Sequence, residues 1–440
     1  MTVDHYARDR TFWRLMGHAA VVGLIAGVAA LAFTQLVRLG TEFVWGTDVQ
    51  LTFLAGEWWW LAILGAAGVL VGILRMVWRV PEELGGSLTA IQDATVDTSS
   101  ALPAIAVSAV SLIGGASLGP FDAGIRSGGA VGEWFSRWRR LPEEMREVNT
   151  LSGINGALGS LLTAPILATL MVTELRWPDR SHYFRVMIPN LAAAIFGFAI
   201  TFAIVGDTFL GVFALPSYDV RFWHFGLAVL LGIVAAALSW VLGMSVFVLR
   251  RWGVPLLRNP VARSTIGGLT LGLIGIAFPL TLASGKTQMA VAIEEAETIG
   301  AALLIGIVFA KIVAVAISLT TGFIGGPVMP TLFIGGVSGL AVHVMFPEIP
   351  IALAFSAMLV AVPGVSIGAP FTMIFLAALT VGIGAVETVP AGVAVLTAYT
   401  VTSGLGWFGF PTDHTTVDID EVSVQSELFD LGEAEPIDEE

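Results

Sequence analysis

The sequence predicts an all-α, polytopic membrane protein built as two antiparallel (inverted) repeats of broken, tilted helices. Three observations predict it. Mean hydropathy is +0.85 over the whole chain. Of 440 residues, 56% are hydrophobic and 12% charged, against about 45–50% and about 25% in a soluble domain. Gly or Pro interrupts the apolar runs at matching places in two halves, the pattern of a repeat architecture with a site at the interface. This composition excludes a soluble globule, a disordered chain and a single-span receptor. No residue is Cys, so disulfides, thiolate metal sites and a Cys nucleophile are excluded as well. The six His show no HExxH spacing, and no cofactor or metal is implied.

From the N-terminus, residues 1–15 form a basic segment with Arg8, Arg10 and Arg14, expected to be cytoplasmic and amphipathic. The apolar stretch behind it runs to about Val37 without a clear cleavage site, and reads as a retained first span. Further apolar runs lie near 57–78, 101–118, 149–173, 186–205, 222–249, 266–282, 299–319, 330–345, 350–363, 368–386 and 389–404. Several are too short to cross ~30 Å of hydrocarbon as a helix. Arg and Lys concentrate at 8–14, 75–79, 137–146, 176–185 and 250–263, while the loops near 40–56, 206–220 and 345–350 carry none. The positive-inside rule places the N-terminus and those clusters in the cytoplasm of a cell (inner) membrane. Trp58-Trp59-Trp60 reads as an interfacial belt.

The repeat divides the body into 16–205 and 206–410. The first half has Gly85-Gly86-Ser87, then Gly119-Pro120, then Ala164-Pro165. The second has Gly285-Lys286, then Pro327 and Pro330, then Ala369-Pro370. Pro120 and Pro330 are 210 positions apart, Pro165 and Pro370 205. Residues 411–440 hold eleven acids and no Lys or Arg. Without them the formal charge of −13 becomes −2, from 23 acids against 21 bases. The tail is expected to be solvated and disordered. Nothing supports nucleic-acid binding.

Helix breaks at membrane depth carry the chemistry. A buried helix N-terminus offers unpaired N–H groups and a positive dipole end, and several together can hold an anion without trapping it. The candidate ends follow Gly86-Ser87, Gly119-Pro120, Pro327–Pro330 and Ala369-Pro370. Asp122 and Arg126 are spaced to pair on one helix. Lys311 stands alone inside an apolar run, where a charge either serves a site or pairs with a helix end. Gly115-Ala116-Ser117-Leu118-Gly119 also satisfies GxSxG, and a protease would use Ser117 with His343.

Taken in order, these motifs resemble the CLC family of chloride channels and anion/proton antiporters, over roughly residues 15–405. Pro81-Glu82-Glu83-Leu84-Gly85-Gly86-Ser87 resembles its first anion motif. Ala116-Ser117-Leu118-Gly119-Pro120 sits where the family has Gly-Lys/Arg-Glu-Gly-Pro, and Gly325-Gly326-Pro327-Val328-Met329-Pro330 where it has Gly-x-Phe-x-Pro. Thr163-Ala164-Pro165 through Glu174 resembles the helix after the second motif. The resemblance implies a CLC-like homodimer in the bilayer, carrying chloride or another small anion and not acting as an enzyme. Gly86, Ser87, Gly119, Val328 and Met329 would bind the anion. The gating glutamate falls at Leu118 and the inner proton-relay glutamate at Leu175, and neither leucine can titrate. The motif's basic residue is Ser117 and its Phe is Val328. Trp407, Phe408 and Phe410 lie where the family has a pore tyrosine. The expectation is passive anion permeation uncoupled from protons. A secondary transporter of another anion and a non-conducting membrane scaffold remain the alternatives. Glu174 reads as an interfacial acid beside Arg176, or as a vestigial proton acceptor.

Overall fold

The computed structural model describes residues 10–47, 56–81, 87–176, 183–206, 208, 209 and 211–405. The first half contains α1 (Arg10–Trp45), α2 (Trp60–Val77), α3 (Ser87–Gln92), α4 (Thr98–Ile113), α5 (Phe121–Trp138), α6 (Glu143–Leu162), α7 (Pro165–Leu175) and α8 (Tyr183–Val205). The second contains α9 (Phe222–Val248), α10 (Pro260–Ala277), α11 (Lys286–Glu294), α12 (Ala296–Ile299), α13 (Ala301–Thr320), α14 (Val328–Met345), α15 (Ile351–Pro363), α16 (Pro370–Val381) and α17 (Ala385–Gly404). Among the described residues nine stretches are long and apolar enough to cross a bilayer, while α4, α7 and α16 are apolar but short. The chain is thus an all-α polytopic membrane protein.

Local signals set many boundaries. The Asp97 carboxylate accepts from the Ser99 amide and opens α4. Those hydrogen bonds from Ser99 and Ser100 hold its pKa below the usual carboxylate value. Asn259 caps α10, and proline stands at the start of α7, α10 and α16, where its missing N–H costs nothing. Helix α1 starts at Arg10, inside the basic segment, and runs past Val37 to Trp45. At 1.5 Å per residue its 36 residues reach about 54 Å, longer than the hydrocarbon. Trp45 packs on Trp59 and Trp60, and its indole N–H donates to the Ile113 carbonyl at the end of α4. The expected belt therefore divides: Trp58 is exposed and Trp60 is core.

The halves repeat in their packing. Helix α6 lies against α1, α5 and α8, and α15 lies against α9, α14 and α17. The two contacts α5–α6 and α14–α15 are closed by glycines in the same register. A Cβ on Gly128 or Gly132 would sit 2.3 Å from the Gly153 carbonyl oxygen or 2.2 Å from that of Asn149. On Gly335 or Gly339 it would sit 2.1 Å from the Met358 oxygen or 2.4 Å from that of Ala354. Gly128 to Gly335 and Gly132 to Gly339 are both 207 positions. This register pairs Pro120 with Pro327, each the residue before its helix, rather than with Pro330 as the sequence pairing had it. Pro330 lies within the first turn of α14, so matching proline to proline slips the repeat by three residues.

Lipid gives helices no hydrophobic reason to associate, so close backbone contact is what holds these pairs. Gly335→Ala must push α14 and α15 apart. It is expected to lower stability by about 1–3 kcal/mol, seen as a reduced melting temperature of the detergent-solubilised protein. Gly17→Ala, with nothing within 4 Å of the new Cβ, is expected to leave it unchanged or slightly raised.

Candidate anion site at the paired helix breaks

The two long breaks, 114–120 and 321–327, meet at the centre of the molecule. Gly119 N–H donates to the Gly326 carbonyl and Gly326 N–H donates to that of Gly119, both at 2.8 Å. The strands run antiparallel, as inverted repeats require. The exchange continues through two serines. Ser117 N–H donates to Ser318 Oγ at 3.2 Å, and Ile324 N–H donates to Ser111 Oγ at 3.1 Å. Ser111 Oγ in turn donates to the Val107 carbonyl and Ser318 Oγ to that of Ala314, both at 2.8 Å. Every one of these pairs is related by 207 positions. Each half supplies the hydroxyl that satisfies the other half's turn. The sequence expectations did not include Ser111 and Ser318; their signal is a serine recurring at 207.

The pair of glycines lies between two helix N-termini. Gly119 abuts Met329, whose Cβ is 3.1 Å from where a Cβ on Gly119 would stand. Gly326 abuts Asp122 in the same way, its added Cβ 3.1 Å from the Asp122 amide nitrogen. Val328 and Met329 open α14, so their amides have no acceptor within the helix, and Pro327 provides no side-chain cap. The next N–H, of Thr331, goes to the Pro327 carbonyl at 2.9 Å. Of the five residues expected to bind an anion, these two keep their amides uncommitted. The Gly119 amide is committed to Gly326, so Gly119 joins the halves instead of offering a donor. Gly86 lies outside the described residues; Ser87 opens α3, with only its backbone placed.

The two helix ends differ in charge. Asp122 lies in the first turn of α5, buried, with Arg126 Nε donating to its Oδ2 at 2.8 Å. This is the local pair that the spacing predicts, and it puts a carboxylate at the positive end of α5. The counterpart of Asp122 is Met329, and α14 has no acid in its first turn.

Leu118 is fully buried among Phe323, Ile324 and Leu282. Its counterpart is Gly325, where an added Cβ would stand 2.7 Å from the Leu118 Cβ. A single side chain therefore fills the centre where two would collide. Leu175 is buried in a different apolar cluster, so the two leucines are not brought together. Trp407, Phe408 and Phe410 lie outside the described residues. Ser117 Oγ donates to the Thr281 carbonyl at 3.0 Å. His343 Nδ1 lies 2.7 Å from the Ile349 carbonyl, at the opposite end of α14, about 22 Å along the axis from its start. The serine and histidine of a protease are not assembled.

Glu174 does not pair with Arg176. Its Oε1 accepts from the Phe371 amide at 2.8 Å, and its Oε2 from the Thr372 amide at 2.8 Å and the Thr372 hydroxyl at 2.6 Å. It caps the N-terminus of α16 from the other half, whose own preceding residue is Ala369. Arg176 instead binds the Gln92 carbonyl and Glu147. Glu174→Ala removes all three acceptor contacts. The expected cost is about 1–2 kcal/mol, with faster hydrogen exchange confined to the Phe371 and Thr372 amides and their turn.

The sequence profile of the voltage gated chloride channel family matches residues 96–403. YfeO of Salmonella choleraesuis (strain SC-B67), an ion-transport protein by name, is 25% identical over 392 residues, covering 86% of this chain and 92% of YfeO. YfeO of Salmonella paratyphi A (strain ATCC 9150 / SARB42) is likewise 25% identical over 391 residues. Among solved structures, a slow cyanobacterial Cl−/H+ antiporter superposes with a TM-score of 0.75 at 20% identity, over 95% of this chain and 99% of its own. A CLC-type fluoride/proton antiporter gives 0.75 at 20% identity, over 89% and 95%. The profile match extends from the residue before the Asp97 cap into the last turn of α17 and takes in both breaks, and the chain belongs to the voltage gated chloride channel (CLC) family.

Proposed function

We propose that this protein lets a small anion, chloride by default, cross the bilayer passively and without proton coupling. What supports this reading is the acid-free helix end at Val328 and Met329, together with buried leucines at 118 and 175, the positions to which the CLC resemblance assigns the gating and proton-relay glutamates. Partial charges on amides hold an anion weakly enough to release it. Leu118 and Leu175 have no titratable atom to move a proton. Gly86, together with Ser87 at the start of α3, would complete the site, in a homodimer in the cell membrane with its N-terminus cytoplasmic. A second reading is proton-coupled exchange through another group, favoured by the two solved structures being described as antiporters.

Chloride efflux from proteoliposomes, with external pH recorded together, separates the readings. Chloride flux with no pH movement is the expected result. Flux with stoichiometric proton uptake would transfer support to the exchanger. No flux of chloride, fluoride, nitrate or bicarbonate would favour a non-conducting scaffold. Leu118→Glu should add a gate: a buried carboxylate competes with the anion when ionised and is silenced when protonated. Its flux is expected to be about tenfold lower at neutral than at acid pH, while the wild type changes little.

A further inference from the structure

Lys311 is fully buried on α13, and no ion pair among the described residues includes it. Its Nζ donates to the Thr281 carbonyl at 2.9 Å and the Ala283 carbonyl at 2.8 Å. The same nitrogen lies 4.9 Å from the centre of the Phe333 ring. Two carbonyl oxygens and an aromatic face are all negative ends of dipoles or quadrupoles, the surroundings an ammonium requires. None of them has a formal charge, so in its ammonium form Lys311 has no formal counter-ion among the described residues. A buried charge in that state is expensive and demands a complement.

The surroundings of Lys311 connect it to the helix breaks. The Thr281 carbonyl that receives its ammonium also receives the Ser117 hydroxyl. The Ala283 amide donates to the Gly115 carbonyl at 3.0 Å, so residues 281–283 run beside the first break. Phe333 is on α14, in the turn after Val328 and Met329. Ser318, which clamps the first break, is seven residues from Lys311 and so on the same face of α13, about 10 Å along its axis. At an effective dielectric constant of about 20, a unit charge about 10 Å from an anion alters its affinity by about tenfold.

We infer that Lys311 is the fixed counter-charge of the anion pathway, attracting a small inorganic anion to the α14 N-terminus and in turn neutralised by it. This rests on the reading of the chain as an anion pathway. It assigns the attraction to one side chain that touches neither break directly.

The test compares wild type with Lys311→Met, Lys311→Gln and Lys311→Arg. The full chain is used, both in proteoliposomes and in detergent. Gln keeps donors for the two carbonyls and removes only the charge, so it serves if Met fails to fold. Two quantities are read: the chloride concentration giving half-maximal efflux, and the shift in melting temperature when gluconate is replaced by chloride. Wild type and Arg are expected to be stabilised by chloride. Met and Gln should lose that stabilisation and need at least tenfold more chloride for half-maximal flux. In gluconate they should melt no lower than wild type, because an uncompensated charge is gone. A lysine with a structural role alone would give lower melting in both salts and an unchanged chloride response. That result, or an unchanged half-maximal concentration in a folded neutral variant, overturns the assignment. Should wild type show chloride-dependent stabilisation without flux, and the neutral variants lose it, the counter-charge stands and permeation fails.

Discussion

The reciprocal pair of hydrogen bonds between Gly119 and Gly326 is the constraint on which the rest of the structure depends. It fixes two interrupted helices end to end at membrane depth, where exposed backbone would otherwise be prohibitive. Much around it exists in duplicate: serine clamps, left-handed glycines at Gly115 and Gly322, and glycine-lined contacts α5–α6 and α14–α15.

The duplication fails at two places beside the pair. Leucine faces glycine across the centre, so one side chain occupies it. Aspartate is the counterpart of methionine, so one helix end has a carboxylate in its first turn and the other has none. A perfectly symmetric centre would bind equally at both ends or be blocked by two side chains. The buried Lys311 side chain adds to the asymmetry, since its ring partner Phe333 belongs to α14.

What could be foreseen from the sequence depended on how local its cause was. Proline at the start of α7 and α16 and the Asp122–Arg126 pair are settled within a turn or two, and were legible; the Asp97 cap is as local but was not among the sequence expectations. The repeat was legible as well, but its register was set from prolines, which tolerate more than one position in a first turn. Glycines at 128, 132, 335 and 339 cannot slip, because another backbone occupies the missing side chain's space. Glu174 was recognisable as an acid near a helix end. Its acceptor role depends on amides nearly two hundred positions away, which no spacing rule reaches. Ser111 and Ser318 resemble ordinary serines in apolar helices until the opposite half is in place. Of the site itself, Val328 and Met329 were legible as a helix start, whereas the commitment of the Gly119 amide was not.

The exchanged serines also set an order of events during synthesis. When α4 and α5 emerge from the ribosome, the amides of Ser117 and Gly119 have no partners, since both acceptors, Ser318 and Gly326, belong to the second half. At roughly 5–20 residues per second the missing length takes about 10–40 s to appear. Through that interval the first break must be kept wet or sheltered by the insertion machinery. The nascent first half is therefore a species with its own quality-control risk, and a chain truncated before Ser318 leaves both amides without these acceptors.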